Sequence, residues 1–206
     1  MTRSLRRKDS TAPAVLLAPR IKRQIDKLAN CHRWPIRQAL ISEDWQTSLL
    51  AQVVIARQRP DNFLAVAIYL IDLGCMGLKS ATSRHAVSFA QYDDILERFQ
   101  LATPITPCAP ELAAKVIETA IQYAASLDFH PRDPDFEAAK LILRGIDSTT
   151  CDIPVVCGRD GKPVYISGPH DDVQATLSHL AERVGVDGFE FVDGYQESFA
   201  SLPNEE

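Results

Sequence analysis

Asp72, Cys75 and Lys79 fall close together in the run Asp72-Leu73-Gly74-Cys75-Met76-Gly77-Leu78-Lys79. These are a carboxylate, a thiol and an amine within reach of one local turn. Asp72 closes a long apolar row, where an ionised carboxylate is costly unless it is paired or hydrogen-bonded. Burial would raise its pKa, the property a general base needs, and would leave Cys75 as a nucleophile with Lys79 close by. The structural reading is simpler. A lone buried acid is more often satisfied by a neighbouring cation, here Lys79, or by the backbone N–H groups of the glycine-flanked loop.

His130 opens the segment His130-Pro131-Arg132-Asp133-Pro134-Asp135, which could be drawn as an acid–base or metal cluster. Helix chemistry accounts for the aspartates. Asp133 before Pro134 reads as an N-cap with proline at the first helical position of a helix ending at Gly145, and Asp135 suits the positive end of the helix dipole. His130 alone is left without a structural account, and it joins Asp72, Cys75 and Lys79 as a candidate catalytic residue under an enzyme reading.

No metal and no cofactor is expected. Cys151 and Cys157 are too far apart for common structural zinc spacing and have no matching second pair. The glycines from 158 to 162 lack phosphate-loop spacing, and Lys162 is followed by proline. No dinucleotide fingerprint, H-E-x-x-H or nucleophile elbow is present. Five cysteines at irregular spacing do not form a disulfide framework and point to a reducing, cytoplasmic compartment. No apolar run is long enough to span a bilayer, and the short stretch at 12–18 is a poor secretory signal.

A different chemistry is written in the charges. The net charge of −5 hides an asymmetry. Residues 1–33 hold nine Lys/Arg against two acids, and the remainder holds thirteen against twenty-five, so a +7 segment precedes a −12 body. Arg3, Arg6, Arg7 and Lys8 lie in a polar, proline-punctuated arm at 1–17, read as disordered. Arg20, Lys22, Arg23 and Lys27 surround a short amphipathic helix at 19–28 whose apolar residues Ile21, Ile25 and Leu28 fall at helical spacing. Together these eight cations form a candidate contact surface for nucleic acid or an acidic protein partner.

The elements that must position these groups centre on residues 49–73. Two runs rich in Val, Ile and Leu flank Arg59-Pro60-Asp61-Asn62, which predicts a β-hairpin. The second run is apolar on both faces, so it should lie inside a sheet covered on both sides. Residues 36–42 read as strand or helix, and 42–45 as a turn. Ser88 with Gln91 predicts a capping box opening a helix through Phe99. Prolines 104, 107 and 110 predict an extended connector before a helix at 111–127. A second hairpin at a sheet edge is expected from 153–157 and 162–166 across the Asp160-Gly161 turn, since Pro154 and Pro163 each remove a ladder donor. A helix starting near Val173 and stopping at Gly185 and a short strand at 189–192 follow.

The sequence therefore predicts an α+β fold. A single domain at 18–196, with a central hairpin and sheet covered by several helices and a second, edge hairpin, carries a basic N-terminal arm at 1–17 and an acidic tail at 197–206. Two functions are compatible with it. One is a non-enzymatic binding or adaptor protein working through its basic arm. The other is a small enzyme, hydrolase or transferase, with a site around Asp72, Cys75 and Lys79.

Overall fold

A computed structural model describes residues 18–194; the basic arm at 1–17 and the acidic tail at 197–206 lie outside them. The predicted central hairpin forms, with β2 at Leu50–Gln58 and β3 at Leu64–Asp72 paired antiparallel over their full length. Its loop is closed by the Arg59 N–H donating to the Phe63 carbonyl, and Asn62 takes a left-handed conformation at φ 61°, which asparagine tolerates better than most residues.

Three further strands complete an antiparallel five-stranded sheet in the order β4-β3-β2-β1-β5. Residues 36–42 resolve as a strand, β1 (Ile36–Ser42), followed by a single helical turn, α2 (Trp45–Ser48). Strand β4 (Gly77–Val87) has no counterpart in the sequence reading. Its residues Leu78-Lys79-Ser80-Ala81-Thr82 are too polar to look like a strand, because it lies at the sheet edge with its outer row in water. The proline connector holds a short strand, β5 (Ile105–Pro107), paired with β1.

The helices divide between the two faces. On one, α1 (Pro19–Leu28), α4 (Pro110–Ser126) and α5 (Phe136–Leu143) pack over the larger core. Alanines on both sides of that interface, Ala65 and Ala67 against Ala113 and Ala120, let the helices approach closely. On the other face a single helix among the described residues, α3 (Phe89–Ala102), begins with the predicted capping box: Ser88 Oγ accepts from Gln91 N–H, and Gln91 Oε1 accepts from Ser88 N–H. Tyr92, Ile95, Leu96 and Phe99 point inward as their spacing predicts. One helix cannot span five strands. Ile68 and Leu70 of β3 are only half-buried, so the expectation of full cover on both faces is corrected.

Two other expectations change. Asp133 does not cap α5, which starts two residues later than predicted behind Asp135. The Asp133 carboxylate instead accepts from the N–H groups of Ala81 (2.7 Å) and Asp135 (2.9 Å), so it ties the loop to the open edge of β4. The edge hairpin is also absent. The Asp160-Gly161 turn forms, closed by reciprocal backbone bonds between Arg159 and Lys162, but the residues before it do not pair as a strand. Gly158 N–H and Val164 N–H bond instead to the carbonyls of Leu73 and Gly74, which draws this segment across the β3–β4 turn. Strand β6 (Val164–Ile166) then pairs in parallel with β7 (Glu190–Val192) through the crossover helix α6 (Val173–Val184).

One buried cation links several of these elements. Arg57 of β2 is 3% exposed, and no ion pair to it occurs among the described residues. Its guanidinium donates to the carbonyls of Ile142 (2.8 Å), Arg144 (2.7 Å) and Trp34 (2.8 Å). Two of those carbonyls are at the C-terminal end of α5, where helix carbonyls lack internal partners and a positive charge is favoured. Arg57→Met keeps the stem and deletes the donors. It should destabilise the protein by about 3 kcal/mol or more, because three carbonyls lose their donor at once. Urea unfolding checks this, and an unchanged midpoint would show that the carbonyls find other partners.

Candidate functional site

The β3–β4 turn holds Asp72 and Cys75 together but seals them. Asp72 Oδ1 accepts from the Cys75 N–H at 2.9 Å, while Oδ2 is buried with no hydrogen-bond partner among the described residues. Burial pushes the Asp72 carboxyl up to about 6, against the pull of the Cys75 N–H and of Lys79. Cys75 is fully buried with Leu127, Tyr165 and Leu180. Burial, then the Asp72 charge, drives its thiol far above the ordinary range, the reverse of what activates a nucleophile. The two glycines of the turn serve packing. A Cβ on Gly74 would strike the Val164 carbonyl, and Gly77, at φ +70°, would place one 2.7 Å from the Ala124 methyl of α4.

Lys79 has a different surrounding. The β3–β4 register passes from Leu70↔Ser80 to Ile71↔Leu78, which leaves Lys79 as the extra residue of a bulge. Bulges re-aim side chains. Lys79 turns towards the βαβ unit, where its Nζ meets Asp171 Oδ2 at 2.8 Å and the Ile166 carbonyl at 3.4 Å.

This ion pair stands in a cleft of about 460 Å³ between the sheet and α6. Met76 and Phe129 give it an apolar floor, and His130, Arg132, His170 and His179 line it. The structure therefore brings Lys79 and His130 into one cleft, while Asp72 and Cys75 do not line it. His130 lies 3.6 Å from Asp128. His179 Nε2 donates to the Leu127 carbonyl at 2.8 Å, which leaves its Nδ1 as the acceptor of the neutral ring, and the ring packs 4.5 Å from that of Phe129. The acids of the cleft are already engaged. Asp171 also accepts from Gly168 N–H, Asp172 caps α6 through Ala175 N–H, and Asp133 holds the β4 edge. His170, His179 and Arg132 were missed as site residues because only tertiary folding, not spacing, brings residues from three segments together.

The basic surface has its own geometry. Arg20, Arg23, Gln24 and Lys27 of α1 line a groove of about 320 Å³ with His85 of β4. Arg20 is committed to Asp135, with two bonds at 2.6 and 2.7 Å. Lys27 Nζ lies 3.0 Å from His85 Nε2, and His85 Nδ1 lies 2.9 Å from Gln24 Oε1. An ammonium can only donate, so His85 accepts at Nε2 and carries its proton at Nδ1. Burial, Lys27 and Arg59 all lower the His85 pKa and favour this neutral form. Lys22 and Arg23 are exposed, and Arg3, Arg6, Arg7 and Lys8 lie outside the described residues.

Among the described residues no group of three or more His, Cys, Asp and Glu is placed to hold a metal ion, and no helix is long and apolar enough to cross a membrane. Comparison with family models, with curated proteins and with solved structures finds no match to this chain.

Two measurements probe the turn. Asp72 has a folded pKa above its unfolded value, so the folded state holds the proton more tightly and stability is lost as pH rises from about 4 through about 6. Ionising it costs about 3 kcal/mol. Asp72→Asn keeps the acceptor for Cys75 N–H, and it should raise the melting temperature at pH 8 but not at pH 4. An equal effect at both pH values would refute a buried, protonatable carboxyl. The Cys75 thiol should also resist iodoacetamide in the native protein and react once the chain is unfolded, with the labelled peptide identified by mass spectrometry. Rapid native labelling at Cys75 would return it to the list of nucleophiles.

Proposed function

We propose that the protein is a non-enzymatic binding protein that holds the phosphate backbone of nucleic acid on the outer face of α1. One observation carries this reading. Arg20, Arg23 and Lys27 recur at i, i+3 and i+7 along one stripe of the helix, roughly 10 Å long, and line a groove in which, among the described residues, Arg20 alone is held by a carboxylate, that of Asp135. His85 in that groove is neutral, and Arg23 has no ion pair among the described residues. The sequence ahead of α1 carries further Lys and Arg, and an anionic partner is favoured by this +7 segment over a remainder of net charge −12.

The competing reading is a hydrolase or transferase working through Asp72, Cys75 and Lys79. The observation in its favour is that Lys79 and His130 share the cleft, and against it stands the sealed, protonated thiol. An acidic protein segment is the other occupant that the α1 groove would accept.

The test is titration of a labelled duplex and a labelled RNA with the full-length protein and with its Arg23→Gln/Lys27→Gln variant at several salt concentrations. Loss of two phosphate contacts should weaken binding and make the slope of log affinity against log salt shallower by about 1.8 on duplex DNA. Equal affinity and slope for both proteins would remove α1 from the interface. Failure of the wild-type chain to bind either nucleic acid at low salt would leave an acidic protein as the partner.

A further inference from the structure

The incompletely covered face of the sheet holds a pocket unrelated to the α1 groove. Where α3 leaves β3 and β4, a cavity of about 170 Å³ opens between Val66 and Ile68 of the sheet and Ile95 and Phe99 of the helix. Its lining among the described residues includes two cations, Arg84 of β4 and Arg98 of α3, and no carboxylate. Both guanidinium groups are exposed, and neither makes an ion pair among the described residues, although Asp94 lies one turn before Arg98 on the same helix. The volume is close to that of a dry cavity of about 150 Å³ that accepts a benzene ring. A hydrocarbon group of that size would exclude water from the half-buried Ile68 and Phe99, and an anionic group attached to it would meet the two unpaired guanidinium groups at the rim, which favour carboxylates through paired N–H donors.

We propose that this pocket binds a small carboxylic acid with an apolar body about the size of a phenyl ring. The aliphatic and aromatic walls select the body and Arg84 with Arg98 select the carboxylate. This site is independent of the reading of α1, since the two share no residue. A neutral analogue of the same shape would keep the apolar contacts and lose the charge-assisted bonds.

The full-length protein is titrated with 3-phenylpropionate and separately with 3-phenylpropan-1-ol, following the isoleucine methyl resonances by NMR. The acid should shift Ile68 and Ile95 saturably, and the alcohol should bind about tenfold or more weakly. The Arg84→Gln/Arg98→Gln variant, altered only at exposed side chains, should bind the acid as weakly as wild type binds the alcohol and should leave the affinity for the alcohol unchanged. Equal affinities of the wild-type chain for acid and alcohol, or undiminished binding of the acid by the variant, would overturn the assignment of the arginines. No saturable shift of Ile68 and Ile95 at millimolar acid would overturn the site itself.

Discussion

The arrangement of the larger core depends on how α5 is held. At eight residues it is too short to be stable by itself, and its C-terminal carbonyls open into apolar surroundings. Three buried side chains meet them: Tyr69 Oη donates to Ala139, Cys31 Sγ to Leu141, and the Arg57 fork to Ile142 and Arg144. Burying a guanidinium is costly, and desolvation lowers the Arg57 pKa, yet its planar donors reach in three directions that a lysine could not serve together. Because the third donor takes Trp34 at the entry to β1, one side chain fixes a strand, a helix end and the start of the neighbouring strand. The helix so placed supports α1 through Asp135 and Arg20, and α1 in turn supports the β4 edge through Gln24.

The molecule has a second seam, where the βαβ unit meets the sheet. Leu73 and Gly74 accept backbone bonds from the incoming chain, and the small core around Cys75 and Tyr165 fills the space beneath. The Lys79–Asp171 pair crosses that seam with both side chains mostly buried, so desolvation offsets much of its attraction and its main effect is to fix the geometry. The cleft lies along the same seam.

Local chemistry was legible in the sequence. The central hairpin followed from two runs rich in Val, Ile and Leu on either side of the Pro60-Asp61-Asn62 turn, α3 from Ser88 and Gln91, α4 from its stripe, and α6 from its spacing and Gly185. What failed depended on partners distant in the chain. Residues 79–84 are polar except for Ala81 because β4 is an edge, and the Asp133 carboxylate serves β4 rather than its own helix. The Asp160-Gly161 turn formed as its residues require, but pairing of its arms was decided by the β3–β4 turn, which takes their backbone groups first. Of the candidate site, the burial of Asp72 could be read from its row, and its satisfaction by a loop N–H was among the alternatives. That Lys79 and His130 face one cleft could not be read, because a bulge and a crossover unit place them there.

The way the sheet ends has a consequence for how copies of this chain behave towards one another. An open strand edge is a template on which a second chain can add β-structure, the usual start of aggregation. Along β4 three backbone groups already have side-chain partners, Ala81 N–H with Asp133, the Ser83 carbonyl with Gln24 and the His85 carbonyl with Arg59. The opposite edge, β5, is only three residues long and ends in Pro107. Among the described residues both borders of the sheet are thus interrupted, one by side chains bonded to its backbone and the other by its short length and proline, and each interruption works against strand-by-strand addition of a second chain.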